Sequence, residues 1–220
     1  MNAISPLATA SSDRPAPIIP GSPPNPTLAD TLPTTGNVRI ASVQHAPFPL
    51  AVKLKMRLWR VIQATLFRWS PAMFRGYRRW LLTLFGAKLA RPVSVHPTAR
   101  IDCPWNLEMG AFASLGEDSW VYSLARIVIG EYACVGQRAM LLTGTHDFCD
   151  PTFPLVTRPI VVGYGSWIAA GVTVLPGVKI GALAVVGAGS VVTRHLPEQM
   201  ICAGNPCRPI KRRNLPAVAA

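Results

Sequence analysis

The sequence is short of charge, and shorter still of acid. Of 220 residues, 10 are Asp or Glu against 22 Lys or Arg; charged residues make up 15% and the formal net charge is +12. Residues 51–91 hold ten Lys or Arg and no acid at all. Such a balance invites a nucleic-acid partner, but no nucleic-acid motif accompanies it. The basic residues are interleaved with Trp and Leu, which suits an anionic membrane surface or an acidic ligand. Cysteine is sparse and odd in number: Cys103, Cys134, Cys149, Cys202 and Cys207, with no CxxC pair. That argues against a disulfide framework and a zinc site, and leaves reduced thiols, some of them core fillers. No uncharged apolar run approaches the roughly 18 residues of a transmembrane helix. The segment Met1–Pro6 lacks the basic and apolar regions of a secretory signal. The expected location is the cytoplasm, with a peripheral seat at the inner membrane left open.

What the chain does have is a period of six. Fourteen six-residue frames open at Val95, Ile101, Met109, Leu115, Val121, Ile129, Val135, Leu141, Val162, Ile168, Val174, Ile180, Val186 and Val192. Six is neither a helix stripe nor a simple alternating strand; it is the repeat of a parallel β-helix, three frames to a triangular coil. Fourteen frames make between four and five coils. The aliphatic residue points inward, and the small residue after it lets the chain turn the corner. Two-residue slips separate the frames at Ile101 and Met109, and those at Val121 and Ile129.

Four segments follow. Residues 1–46 carry eight of the 22 prolines among Ser, Thr and Ala, and are expected to be a disordered tail. Residues 47–92 are a basic amphipathic helical segment. One helix is predicted from Phe48 to Ser70, broken by Pro71, and another from about Met73 to Phe85, stopped by Gly86. This segment either caps the end of the prism or anchors it on anionic lipid. Residues 93–200 form the β-helix. The frame Leu141–His146 leads into a loop, 147–159, whose three prolines and two aspartates exclude a strand. Insertions in repeat proteins gather on the binding face. Residues 201–220 are expected to leave the prism as a basic tail.

Four motifs carry a likeness. Thr143–Asp147 (TGTHD), Trp167–Ala170 (WIAA), Gly187–Thr193 (GAGSVVT) and Gly204–Arg208 (GNPCR) resemble the hexapeptide-repeat O-acetyltransferases of maltose, galactoside and nodulation-factor type. The loop from His146 to Leu155 and the basic, Leu-rich segment before the repeat are most similar to the colanic-acid-biosynthesis acetyltransferases. The repeat alone speaks only for fold, since carbonic anhydrases and nucleotidyltransferase tails share it. The resemblance implies an all-β, left-handed parallel β-helix assembled as a homotrimer, with sites at the subunit borders. It implies acetyl-CoA as co-substrate, no metal, and a saccharide hydroxyl as acceptor, either free or lipid-linked.

Moving an acetyl group from a thioester to a hydroxyl requires a base, an oxyanion donor and a slot for the thioester. The resemblance assigns the base to His146, and imidazole has a suitable pKa near neutrality; the plainer alternative is a satisfied loop histidine. Asp147 or a backbone carbonyl would orient the ring. The oxyanion donor maps to the backbone N–H of Ala170, where relatives often carry Ser. Trp167 matches the aromatic residue beside the pantetheine and acceptor, or else packs against a neighbouring subunit. Ala170, Ala188 and Thr193 match positions along the pantetheine arm. Arg194, Arg208 and Lys211 match those that meet the phosphates, unless the tail is merely a solvated basic end. Ser123 stands where relatives carry an Asn that touches the acceptor, and Asp147, Asp150, Phe153 and Arg158 on the loop are candidate acceptor contacts, which their spacing alone does not establish. Rival functions are a zinc carbonic anhydrase, which needs three converging histidines, a non-catalytic scaffold at a membrane surface, and an acetyltransferase for a non-sugar acceptor.

Overall fold

The computed structural model describes residues 48–71 and 73–215. The expected disordered tail, 1–46, and the last five residues of the expected basic tail lie outside them. The chain is a parallel β-helix of hexapeptide repeats preceded by helices, with five complete coils and the start of a sixth. The first face stacks Lys88–Leu89, Leu107–Met109, Ile127–Ile129, Ile160–Val162 and Lys179–Ile180, all parallel. The second stacks Ser94–Val95, Ser114–Leu115, Cys134–Val135, Trp167–Ile168, Val185–Val186 and Met200–Gly204. The third stacks Arg100–Ile101, Trp120–Tyr122, Met140–Leu142, Thr173–Val174 and Val191–Val192.

All fourteen frame-opening aliphatics are buried inside the prism. Burial of such side chains is worth about 1.5–3 kcal/mol each, so the column supplies the main driving force. Where glycine follows them, on the first and second faces, it is a steric requirement: a Cβ on Gly163 would come within 2.6 Å of the Ala182 nitrogen in the next coil. Both two-residue slips fall on the corner between the third and first faces. There Pro104–Asn106 forms a 3-10 turn in the first coil, and Ser123–Arg126 crosses in the second.

The coil begins earlier than the repeat suggests: Lys88–Leu89 already pairs with Glu108–Met109. Helix α1, Leu50–Ile62, continues through a π-helical turn at Gln63–Phe67, and helix α2 spans Arg75–Leu84. Together they close the lower end of the prism. The lowest coil has carbonyls with no coil beneath them, and buried side chains meet these. Trp59 Nε1 donates to the Ile101 carbonyl (2.6 Å), and Arg78 Nε to the Val95 carbonyl (2.8 Å). Arg78 Nη1 also donates to Ser70 Oγ and the Pro71 carbonyl, tying the helix junction to the prism. Burial, with the Arg75 charge adding to it, lowers the Arg78 pKa. The opposite side of α1 carries Leu50, Leu54, Leu58 and Val61, all exposed, and Trp69 beyond it is 81% exposed.

Two expectations are corrected. The loop does contain a strand: Leu155–Thr157 pairs antiparallel with Gly144–His146. Its prolines, Pro154 and Pro159, flank that strand, so no ladder donor is lost. The C-terminal segment does not leave the prism. Met200–Gly204 is the sixth strand of the second face, and Cys207–Arg212 folds back antiparallel on it through a cis Asn205–Pro206 peptide.

Candidate active site

His146 ends the first strand of the extruded hairpin, which leaves the prism from the third coil at the corner between the third and first faces. Stacked hydroxyls root it. Thr143 Oγ1 donates to the Tyr122 carbonyl and accepts from Ala125 N–H. Below it, Ser123 Oγ donates to the Cys103 carbonyl and accepts from Cys103 N–H. Ser123 is fully buried. Its hydroxyl is spent on the backbone, so the expected acceptor contact is replaced by a role in holding the corner.

The turn of the hairpin aims the histidine. Asp150 Oδ1 accepts from both Thr152 N–H and Thr152 Oγ1, and the Asp150 carbonyl accepts from Phe153 N–H. Those Thr152 bonds hold the exposed Asp150 carboxyl below its ordinary pKa. Phe153 takes a left-handed φ of +47°. Its ring stacks on the His146 ring at 4.6 Å and 8°, and its carbonyl accepts from His146 Nδ1 at 2.8 Å. A carbonyl can only accept, so Nδ1 carries the proton and Nε2 keeps its lone pair in the neutral ring. Nε2 has no partner among the described residues. A backbone carbonyl thus orients the ring, and Asp147 does not: its Oδ1 accepts from Cys149 N–H. Asp150 and Phe153 act within the hairpin itself.

The remaining site residues lie elsewhere in the same chain. Trp167 stands on the second face, half-exposed, in register between Cys134 and Val185. Ala170 and Ala188 are exposed at the corner between the second and third faces, in consecutive coils. The Ala170 carbonyl accepts from Gly189 N–H, while its own N–H meets no acceptor among the described residues. Beside these alanines the corner is bare: a Cβ at Gly189 would meet nothing within 4 Å, and one at Gly171 only the Gly189 nitrogen at 3.9 Å. Above them the turn before Arg208 is held by Gly204 N–H donating to Ser190 Oγ. The fold therefore gathers Ala170, Ala188 and the turn before Arg208 into one column.

Thr193 and Arg194 are exposed on the other corner, the one bearing the hairpin. Lys211 pairs opposite Ile201, back along the second face and away from the column. The tail is not simply solvated. Arg212 Nη2 donates to Gln199 Oε1, and Arg213 Nη1 to the carbonyls of Gly165 and Leu183. The exposed Cys134 lies with Trp167 in a groove of about 540 Å³ that runs down the second face past Ser114 to Ser94 and Arg75. Sequence reading missed Cys134 and the pair Gly171 and Gly189; glycine at the same place in two successive frames was the available signal.

His146 and Ala170 are separated by the whole third face. Six residues of extended chain make that roughly 20 Å. One chain alone does not bring the His146 ring and the open Ala170 N–H together.

The family model described as bacterial transferase hexapeptide (six repeats) matches residues 159–194. WcaF of Escherichia coli (strain K12), whose name assigns it an acetyltransferase role in colanic acid biosynthesis, is 42% identical over 160 residues, covering 73% of this chain and 88% of that protein. A maltose O-acetyltransferase from Clostridium difficile 630 superimposes with a TM-score of 0.67 at 27% identity, over 74% of this chain and 89% of that one. A hexapeptide-repeat acetyltransferase from Vibrio cholerae O1 biovar eltor, solved with acetyl coenzyme A, shares the fold. Its TM-score is 0.70 at 21% identity, over 80% of this chain and 97% of that one.

Proposed function

The chain belongs to the hexapeptide-repeat acetyltransferase family, and from that premise we propose that it transfers acetyl from acetyl-CoA to a saccharide hydroxyl in exopolysaccharide biosynthesis. The observation that carries the proposal is the pinned imidazole. With Nδ1 held by the Phe153 carbonyl, Nε2 is the proton acceptor. Acetyl-CoA supplies an activated acetyl thioester. The bare corner at Ala170, Gly171, Ala188 and Gly189 fits a long, narrow arm lying against backbone, and Arg208 at its upper end suits a phosphate. Ala188 lines the arm; Thr193 and Arg194 meet it from the facing corner.

His146 Nε2 takes the acceptor hydroxyl proton as that oxygen attacks the thioester carbon. The Ala170 N–H donates to the oxygen on which negative charge develops. The C–S bond then breaks as the new C–O ester stands, and the imidazolium returns its proton to the departing sulfur. No acyl-enzyme forms. Because base and donor sit on different corners, the working unit is a homotrimer in which the hairpin corner of one copy faces the second–third corner of the next. Trp167 walls the acceptor groove, with the hairpin's Asp147, Asp150 and Phe153 closing over it. The exposed apolar stripe of α1, flanked by cations, supports a cytoplasmic enzyme resting on an anionic inner-membrane surface, where a lipid-linked acceptor is met.

The test is acetyl-CoA-dependent thiol release over a panel of sugars and lipid-linked saccharides. Wild type should show acceptor-dependent release, and His146→Ala should lose about 10²–10⁴-fold while keeping its CoA affinity. Equal release by both proteins would remove His146 from the mechanism.

A further inference from the structure

A second cavity lies outside the acetyl-transfer machinery, where α2 meets the first coil. It encloses about 450 Å³, and its walls include Arg75, Arg79 and Arg91 together with Gly76, Pro92 and Phe112. Arg75 and Arg91 are exposed and Arg79 half-buried. The ion pairs among the described residues join Lys88, Arg100 and Arg126 to acids and leave these three arginines unpaired. None of the residues lining the cavity is acidic; the acid of the adjoining groove, Glu117, lines that groove with Arg75 but makes no ion pair among the described residues.

Gly76 is the second, independent observation. Gly76 is the second residue of α2, and glycine contributes less to a helix than alanine. Yet a Cβ at Gly76 would meet nothing within 4 Å, and its φ is not left-handed. Neither packing nor backbone conformation requires a glycine there. Its effect is to leave the space beside Arg75 and Arg79 open.

The cavity also connects to the acceptor groove. Arg75 and Ser94 line both. Ser94, Ser114, Cys134 and Trp167 occupy the same register position in four successive coils. Three strand spacings of about 4.8 Å put the two ends of that column roughly 14 Å apart.

We propose that Arg75, Arg79 and Arg91 bind a phosphate or diphosphate ester at the far end of the groove whose near end is Trp167. The guanidinium fork suits phosphate oxygens, and Pro92 and Phe112 offer an apolar wall to the organic group beside them. The identity of the groove rests on the acetyltransferase reading above; the arginine cavity does not. Two molecules carry this chemistry to a membrane-facing transferase: an acceptor saccharide bearing a phosphate, and a phospholipid headgroup. A phosphate held here and a hydroxyl delivered at Trp167 would select an acceptor spanning about 14 Å, longer than a single sugar.

The full chain would be titrated with inorganic pyrophosphate by calorimetry, with CoA saturating so that its own phosphate positions are filled. Wild type should bind. Arg79→Ala/Arg91→Ala and, separately, Gly76→Leu should each bind at least tenfold more weakly, with CoA affinity unchanged. Gly76→Leu raises helix propensity, so its loss of binding would not be loss of fold. Absence of binding by wild type, or equal binding by the variants, overturns the proposal. Bound pyrophosphate would then be competed with glucose 1-phosphate or with phosphatidylglycerol vesicles. Displacement by the first assigns the site to the acceptor, and by the second to the bilayer; displacement by neither also overturns it. Failure of every protein to bind CoA would strike the acetyltransferase reading instead.

Discussion

The three coils below the hairpin and the two complete coils above it share one backbone and differ in what occupies their corners. At the corner between the second and third faces, Asp118 and Arg138 stand in the second and third coils with φ of +52° and +55°; Gly171 and Gly189 stand in the fourth and fifth with +67° and +69°. The conformation is left-handed in all four, and a side chain there costs on the order of 1–2 kcal/mol. The lower coils bear that cost, so the fold does not demand glycine. What glycine adds in the upper coils is room. The corner between the first and second faces supplies the control. There Phe112, Tyr132 and Leu183 carry side chains at positive φ, and Phe112 and Tyr132 stack at 4.7 Å; the one glycine of the series, Gly165 in the fourth coil, opens no room, since a Cβ on it would meet Leu183 Cδ2 at 2.7 Å. Only one corner is cleared, and only beside Ala170 and Ala188. Charge divides the same way: the three ion pairs among the described residues all lie in the lower coils.

The sharpest way to break this division is to make the upper corner resemble the lower. Gly171→Arg, copying Arg138, should cut transfer at least as far as His146→Ala is expected to through the opposite corner. Co-refolding the two variants should restore activity that neither has alone, because one of the two mixed borders in a mixed trimer pairs an intact hairpin with an intact bare corner. Thiol release from the mixture that stays at the parental level would refute a site shared between copies. Next in size, Gly171→Arg alone should weaken acetyl-CoA binding at least tenfold, while Arg138→Gly leaves it unchanged; both are read by calorimetry.

A smaller effect is expected at the thiols. Burial and the neighbouring Asp102 push Cys103 up to about 12, and burial pushes Cys202 up to about 11. Both stay protonated and shielded near neutrality. Iodoacetamide should therefore label the exposed Cys134 and Cys149. Modification at Cys134, beside Trp167, should raise the acceptor KM more than it changes CoA affinity, with mass spectrometry locating the label.

The smallest effect belongs to the lower coils. Hydrogen bonds from Arg126 and Lys88 lower the Glu108 pKa. A carboxylate depressed in the folded state stabilises above its ordinary value near 4.3, and that contribution disappears as pH falls through the lower, folded value. Any stability advantage of wild type over Glu108→Gln at pH 7 should be slight, since the pair is solvent-accessible, and should vanish in acid. Thermal unfolding at pH 7 and pH 3 checks this.

The period of six was legible because it is local: every frame-opening aliphatic is buried, whatever its neighbours. The hairpin corner was legible as an interruption but not in its pairing. Pro154 and Pro159 look like breakers in composition and are harmless in register, because Leu155–Thr157 fits between them. Ser123 failed for a related reason. A serine advertises a donor and an acceptor, and only the stacking of coils reveals that Cys103 uses both. The division of the site between two corners follows from the frame count once His146 and Ala170 are assigned to their turns, yet nothing near either residue announces it.

The upper end of the prism is finished by a returning strand. Cys207–Arg212 lies along Met200–Gly204 and becomes the outermost strand of the second face. An open edge of a sheet is a template for another chain. This one carries Pro209, which has no N–H to offer, among Arg208, Lys211 and Arg212. A repeating column with an unguarded end could grow end to end into a filament, coil upon coil; the proline and the like charges make this strand a terminus that repels its own copy.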